Sequence, residues 1–128
     1  MRTHQLVDHM FHVTLILCTD EEDFYKKIKK YEYDAAKFPN AGGASTIFFD
    51  TDRHGVVIIV ALGDDSEYSP WLSEFTLIHE SVHVKQFVLE AAYEKNVGVE
   101  TEAYMVEYYS RFLISEFRRR KLVESRKK

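Results

Sequence analysis

The chain has 128 residues, of which 45% are hydrophobic and 14% aromatic, so it has the length of one domain and the composition of an ordinary globular protein. This composition excludes disordered, collagen-like and coiled-coil classes. The formal net charge of −4 is unevenly distributed: residues 118–128 contain seven bases and one acid, a net charge of +6, so the other 117 residues carry −10. We therefore expect a single domain over residues 1–117 and a basic C-terminal tail over residues 118–128.

The single cysteine, Cys18, cannot form an internal disulfide, which is typical of proteins from a reducing compartment. The apolar run at residues 13–17 is too short for the core of a secretory signal. No stretch approaches the roughly 20 apolar residues that a membrane helix needs. We expect a cytoplasmic protein without a membrane partner, and the sequence makes no prediction of its oligomeric state.

In the first half of the chain, the residue patterns predict a strand at 11–18 and a helix at 21–31. A loop at 34–43 and two further strands at 46–49 and 56–62 should follow. Thr19 or Asp20 is the expected N-cap of the helix, whose first turn is acidic. The last strand has no polar alternation, so we expect it to be covered on both faces and central in the sheet. The turn at residues 50–55 should join the last two strands as an antiparallel hairpin.

Two helices are predicted for the second half of the chain. Ser69-Pro70 is a favourable helix start, and the first helix should run to about Lys95, where residues 96–98 end it with a glycine. The last helix should run from Val99 to about Arg120. The predicted fold class is α+β, with a small mixed or antiparallel sheet packed on the first of these helices and the last helix beside it.

The motif with the clearest chemistry is His79-Glu80-Ser-Val-His83, inside the predicted long helix. Histidines at positions i and i+4 lie on one helix face, so both rings can reach one ion. The glutamate after the first histidine then lies beside the ion, where it can act as a general base. His-Glu-x-x-His on a helix therefore predicts a Zn²⁺ site with Glu80 as the base.

A catalytic zinc site needs a third protein ligand, and no histidine follows His83 in the sequence. The remaining candidates are a histidine from the N-terminal half or a carboxylate, Glu100 or Glu102, at the start of the last helix. The apolar spacing of that helix places Glu102 on its inward stripe, which favours Glu102. Glu100 has a second interpretation, as a first-turn acid stabilised by the helix dipole.

These residues resemble the gluzincin branch of the zincin metallopeptidases, which combine His-Glu-x-x-His with a glutamate on a later helix. More narrowly, HESVHVKQ at 79–86 and ETEAY at 100–104 are similar to segments of small zincin-like proteins of phages and prophages. The resemblance covers residues 70–113 and implies the zinc ligands His79, His83 and Glu102. It also implies a bacterial host cytoplasm and a minimal zincin-like fold. Larger gluzincins have an aspartate where this chain has Val106, and they have a further domain.

The predicted function is zinc-dependent hydrolysis of a peptide or protein substrate. Four residues are candidates to stabilise the oxyanion or contact substrate: Tyr104, Tyr108, Arg111 and His54. The first alternative is a non-catalytic zinc-binding protein that binds a host or viral partner. The second alternative is a nucleic-acid-associated protein acting through residues 118–128, although the acidic body would repel the same polyanion. Cys18 is expected to be a small buried side chain and not a nucleophile.

Overall fold

A computed structural model describes residues 4–31, 36–51, 55–92 and 97–126. Within these ranges the chain forms a four-stranded mixed sheet and three helices, which confirms the predicted α+β class. In chain order the elements are β1 Gln5–Asp8, β2 Val13–Cys18, α1 Glu21–Lys30, β3 Ala44–Thr51, β4 Gly55–Leu62, α2 Pro70–Ala91 and α3 Val99–Arg126. None of the helices in these ranges has the length and apolar character that crossing a bilayer requires.

The sheet has the strand order β1-β2-β4-β3, so β4 is an inner strand and β3 lies at one edge. β4 pairs in parallel with β2 and antiparallel with β3, with Thr46 opposite Val60. The predicted hairpin and the inner position of the apolar strand are therefore confirmed. β1, which pairs antiparallel with β2, was missed because a strand of four residues is too short for a clear periodicity.

Both faces of the sheet are covered by helices, and the side chains of the two inner strands alternate between two hydrophobic cores. Leu15 and Ile58 contribute to the core beneath α2 and α3. Ile16 and Ile59 contribute to the core beneath α1. This burial on both faces is the physical reason why the two strands are continuously apolar.

Short-range signals set the starts of α1 and α2. Asp20 is the N-cap of α1, and its Oδ1 accepts a hydrogen bond of 2.7 Å from the backbone N–H of Asp23, so Asp20 and not Thr19 has this role. Pro70 begins α2 after Ser69, as predicted, although the Ser69 side chain makes no capping hydrogen bond. The predicted end of α2 near Lys95 lies outside the described residues.

α3 is longer than predicted and packs antiparallel against α2. Ion pairs join opposite ends of the two helices, from Lys85 to Glu102 at 3.5 Å and from Glu74 to Arg118 at 2.5 Å. The boundary expected after residue 117 falls inside α3, which continues through Arg126. Charge alone suggested a separate tail, whereas in the structure residues 118–126 continue the helix that packs against α2.

The first four bases after residue 117 all pair with acids of the domain. Their partners are Glu74 for Arg118, Glu116 for Arg119 and Arg120, and Asp65 for Lys121. Arg120 is only 2% exposed. Arg118 and Lys121, through Glu74 and Asp65, and Arg120, through Thr19 and Asp23, join α3 to the rest of the molecule.

Candidate metal centre

His79, Glu80 and His83 lie together in the middle of α2, so the structure brings the motif's three polar residues into one group. One ligand atom from each of the three side chains lies within 4.8 Å of the other two. The two imidazole rings have centroids 5.1 Å apart and are inclined at 73°. Among the described residues this is the one group of three or more metal-ligating side chains at such spacing.

The three side chains differ strongly in their exposure to solvent. The His79 side chain is 71% exposed, His83 is half-buried, and the Glu80 side chain is 7% exposed. The helix period explains this gradient, since Glu80 lies about 100° round the helix from His79 and faces the sheet. A metal held by the imidazoles would therefore be open to solvent on one side and have a shielded carboxylate on the other.

The buried carboxylate of Glu80 is held by the edge strand β3. The Thr46 hydroxyl donates a hydrogen bond of 3.2 Å to Glu80 Oε1. The other oxygen, Oε2, lies 3.9 Å from His79 Nε2. One oxygen of Glu80 is thus fixed by the sheet while the second is turned towards the histidines, as a general base beside a metal requires.

The orientation and the tautomer of His83 are set by Gln86, one turn further along α2. His83 Nδ1 and Gln86 Oε1 are 2.9 Å apart. An amide oxygen only accepts hydrogen bonds, so neutral His83 must carry its proton on Nδ1 and donate from it. Nε2 then has the free lone pair that a metal ligand needs.

Glu102, the predicted third ligand, is not brought to the histidines and is not in the group. Its Oε1 lies 3.5 Å from Lys85 Nζ, and Lys85 is roughly 200° round α2 from His83. Glu102 thus contacts α2 on a different flank from the imidazoles, and its side chain is 42% exposed although the spacing predicts an inward position. Glu100 is exposed in the first turn of α3 and is also outside the group. Glu102 as a zinc ligand remains a prediction.

The three substrate-contact candidates on α3 lie together, but in a separate groove. Tyr104, Tyr108 and Arg111 line a cavity of about 760 Å³ between α3 and residues 7–11. Tyr104 projects roughly 200° round α3 from Glu102, away from α2, and Arg111 projects in nearly the same direction. The structure does not bring these side chains to the histidine pair. His54, the fourth candidate, lies outside the described residues.

The groove is closed on its inner side by a buried hydrogen bond. Tyr109 donates from its hydroxyl to Asp8 Oδ2 at 2.6 Å, and both residues are buried. Burial, followed by the hydrogen bond to Asp8, raises the pKa of the Tyr109 hydroxyl well above its usual range. This pair fastens the start of the chain to α3 and is a structural contact.

Cys18 and the N-terminal histidines lie away from the candidate metal centre. Cys18 is fully buried, as predicted, and burial raises the pKa of its thiol far above the ordinary value, so it stays protonated. His4 Nδ1 lies 3.6 Å from Glu116 Oε2, and His9 lines the groove beside α3. His12 adopts a positive φ of 56° just before β2.

Fold and site together define an α+β protein with a candidate metal centre of two histidines and one glutamate on a helix that packs over a mixed sheet. In comparisons with known proteins, no family model, no curated protein and no solved structure matches this chain. The resemblance to zincin-like proteins therefore rests on residues 79–86 and 100–104 alone and remains a prediction.

Two residues of the candidate centre had no role assigned from the sequence. Gln86 lies three residues after His83, a spacing that places neighbours in contact on a helix, so the spacing could have identified it. Thr46 is 34 residues away from Glu80 in the chain. No local pattern could have found Thr46, because its contact depends on how α2 packs on the sheet.

Proposed function

We propose that this protein is a zinc-dependent metallopeptidase whose centre is built on His79, Glu80 and His83. The observation that carries the proposal is the grouping of two imidazoles and a carboxylate within 4.8 Å on one side of α2. Imidazole nitrogen is a ligand that zinc prefers, so His79 and His83 fit this ion, and Glu80 lies beside them as the general base. The minimal zincin-like arrangement, with α2 over the sheet and α3 beside it, is part of the proposal.

The metal and the chain would contribute different parts of the chemistry. A bound zinc ion supplies a Lewis acid that polarises a carbonyl group and acidifies water. Glu80 takes the proton of the attacking water on Oε2 and passes it to the leaving amine. Thr46 keeps Oε1 in place during both transfers, and Gln86 keeps His83 in the tautomer that binds the metal.

The edge of the sheet offers a place for the backbone of a substrate. β3 is the last strand on its side of the sheet, and it pairs with β4 along its inner edge. Phe48 of β3 stacks on Phe87 of α2 with ring centroids 5.5 Å apart, so the edge strand runs close to the helix that carries the centre. An extended segment pairing with β3 would therefore pass near Glu80.

Measuring the zinc content tests the proposal that His79 and His83 bind zinc. Wild type, His83→Ala and His9→Ala are loaded with zinc, dialysed and analysed for zinc per chain. We expect about one zinc ion per chain in wild type and His9→Ala, and a loss of binding in His83→Ala. His9 is the matched control, because it is exposed and lies outside the candidate centre. A wild-type protein that cannot be loaded would overturn the proposal.

Measuring peptide hydrolysis tests the proposal that the protein is a peptidase with Glu80 as its general base. Zinc-loaded wild type and Glu80→Gln are incubated with a random peptide library, and the products are identified by mass spectrometry. We expect cleavage by wild type and a loss of at least about a hundredfold in Glu80→Gln, since general-base catalysis contributes on this order. Zinc binding without cleavage in either protein would instead establish a non-catalytic zinc-binding protein.

A further inference from the structure

The N-terminal half of α2 exposes an unusual number of large apolar side chains. Trp71 is 57% exposed and Phe75 is 61% exposed, and their rings meet edge to face with centroids 5.6 Å apart. Leu72 and Ile78 beside them are 41% exposed each. We call these four residues the apolar face. Contiguous exposed apolar surface of this kind marks a binding site more often than isolated exposed residues do.

The apolar face continues directly into the candidate metal centre. Trp71, Phe75, His79 and His83 follow one another at intervals of four residues, so they form one row along the helix. His79 is itself largely exposed on this side. A peptide that binds on Trp71 and Phe75 and extends along the helix therefore reaches the two imidazoles.

The charged residues of α2 next to this row have partners on other elements, although Glu80 also turns its Oε2 towards the histidines. Glu74 accepts from Arg118 at 2.5 Å, Glu80 accepts from Thr46, and Lys85 lies 3.5 Å from Glu102. The apolar face itself, Trp71, Leu72, Phe75 and Ile78, has no formal charge. This surface is thus suited to uncharged apolar side chains, and it offers nothing to a polyanion or to a charged lipid headgroup.

We propose that the apolar face is a subsite for large apolar side chains of an extended peptide substrate; this inference rests on the proposed peptidase function. Trp71 and Phe75 are four residues apart, which is about 6 Å along the helix axis. An extended peptide rises about 3.3 Å per residue, so this spacing corresponds to two residues of a substrate that runs along α2, both on one side of the scissile bond. Alternate residues of an extended strand face the same side, so both side chains reach α2.

The substrate class is therefore a peptide segment with two large apolar residues, two positions apart, on one side of the bond that is cut. The alternative occupant of the apolar face is a second copy of this chain. A second copy seated on Trp71 and Phe75 would also cover His79, which a hydrolytic centre must leave open to substrate. The two occupants give different results in the following experiments.

Binding is tested without turnover in zinc-loaded Glu80→Gln protein, with Trp71 as the probe because it is the chain's single tryptophan. Two peptides of equal length are titrated, one with leucines at alternate positions flanking a central Gly-Gly and one with serines there. We expect a saturable blue shift of Trp71 emission with the leucine peptide alone. Adding Phe75→Ser should weaken this binding by about tenfold, whereas adding Met10→Ser should leave it unchanged.

Met10 is the matched control because it is 79% exposed and apolar but lies in the groove beside α3. Equal binding of the leucine and serine peptides, or equal binding by the Phe75→Ser and Met10→Ser proteins, would overturn the inference. Sedimentation at the same protein concentrations is measured in parallel. Self-association that Phe75→Ser alone abolishes would assign the apolar face to a second copy and would also overturn it.

The cleavage products of wild type separate this inference from the proposed function. We expect large apolar residues to be enriched at two positions that are two residues apart on one side of the cut, with the enrichment lost in Phe75→Ser and kept in Met10→Ser. Cleavage without this preference would overturn the subsite and leave the peptidase standing. Leucine-peptide binding without any cleavage would overturn the peptidase and reduce the apolar face to a peptide-binding surface.

Discussion

The Thr46 hydroxyl donates a hydrogen bond of 3.2 Å to Glu80 Oε1, which joins the edge strand of the sheet to the candidate base of the metal centre. The Glu80 side chain is 7% exposed, so it depends on this contact for a hydrogen-bond partner that water would otherwise supply. Because Thr46 belongs to β3, any ligand that pairs with this edge strand lies next to the residue that positions Glu80.

Replacing Thr46 with valine should disturb the base without removing the metal. We expect Thr46→Val to bind zinc as wild type does, to lower the rate of peptide hydrolysis by about tenfold, and to lower the free energy of unfolding by about 1 kcal/mol. Thr51→Val on the same strand is the control, because its hydroxyl donates to Gly55 O at the far end of the hairpin. Equal rates for the two variants would contradict a positioning role for Thr46.

Gln86 should affect metal affinity, because it holds His83 in the tautomer with a free Nε2. We expect Gln86→Leu to weaken zinc binding by about 10-fold to 100-fold, as loss of a partner behind a ligand histidine does in other sites. Gln86→Glu should keep the affinity, since a carboxylate accepts the same hydrogen bond. Competition with a chromogenic chelator measures the zinc affinity of both variants. Unchanged affinity in Gln86→Leu would contradict the role of Gln86 in orienting His83.

Glu102 allows the structure and the gluzincin resemblance to be tested against each other. In the structure Glu102 contacts Lys85 on another flank of α2, so we expect Glu102→Gln to change zinc affinity by less than about threefold. If Glu102 were a ligand, Glu102→Gln should weaken zinc binding by at least about tenfold, because losing a ligand lowers the affinity more than losing a supporting contact does. The chelator competition used for Gln86 distinguishes these outcomes.

The charge cluster near the end of α3 predicts a pH dependence of stability. Burial alone would raise the pKa of the Glu116 carboxyl, but hydrogen bonds from Arg119 and Arg120 outweigh it and hold this pKa below its ordinary value of 4.5. A carboxyl with a lowered pKa in the folded state stabilises the fold above its unfolded pKa, and this contribution is lost as the pH falls through the folded value. The difference in melting temperature between wild type and Glu116→Gln should therefore be largest above about pH 5.

In the control for this prediction, Glu107→Gln removes an exposed acid that pairs with Arg111 on the same helix. Its melting temperature should follow that of wild type at every pH, because exposed ion pairs contribute little to stability. A pH-independent difference between wild type and Glu116→Gln would show that the cluster stabilises the fold without its charge.

Removing residues 118–128 should destabilise the domain, since Arg120 is buried against Glu116 and Lys121 binds Asp65. We expect the truncated chain to lose at least about 3 kcal/mol of unfolding free energy, because breaking a buried ion pair leaves an uncompensated charge. Chemical denaturation measures the loss. Truncation is therefore a poor test of nucleic-acid binding by the basic segment, and the exposed Arg118→Gln variant is better suited to that test.

Much of the fold could be predicted because its signals are local. The apolar run of β4 predicted an inner strand, Asp20 before three acids predicted a helix start, and Ser69-Pro70 predicted the start of α2. The last helix was predicted to end near Arg120, and α3 continues to Arg126, because the basic residues at its end look like a solvated helix end in the sequence. Arg118 and Lys121 instead pair with Glu74 and Asp65, which lie in distant parts of the chain.

For the candidate centre, the sequence by itself determined that His79 and His83 share a helix face with Glu80 beside them, because a period of 3.6 residues leaves no other arrangement. Only the tertiary structure decided the surroundings of that motif. Packing of α2 on the sheet brought Thr46 to Glu80, and packing of α3 on one flank of α2 paired Glu102 with Lys85, away from the imidazoles. Such contacts depend on which flanks of the helices meet, and residue spacing within one helix carries no information about that choice.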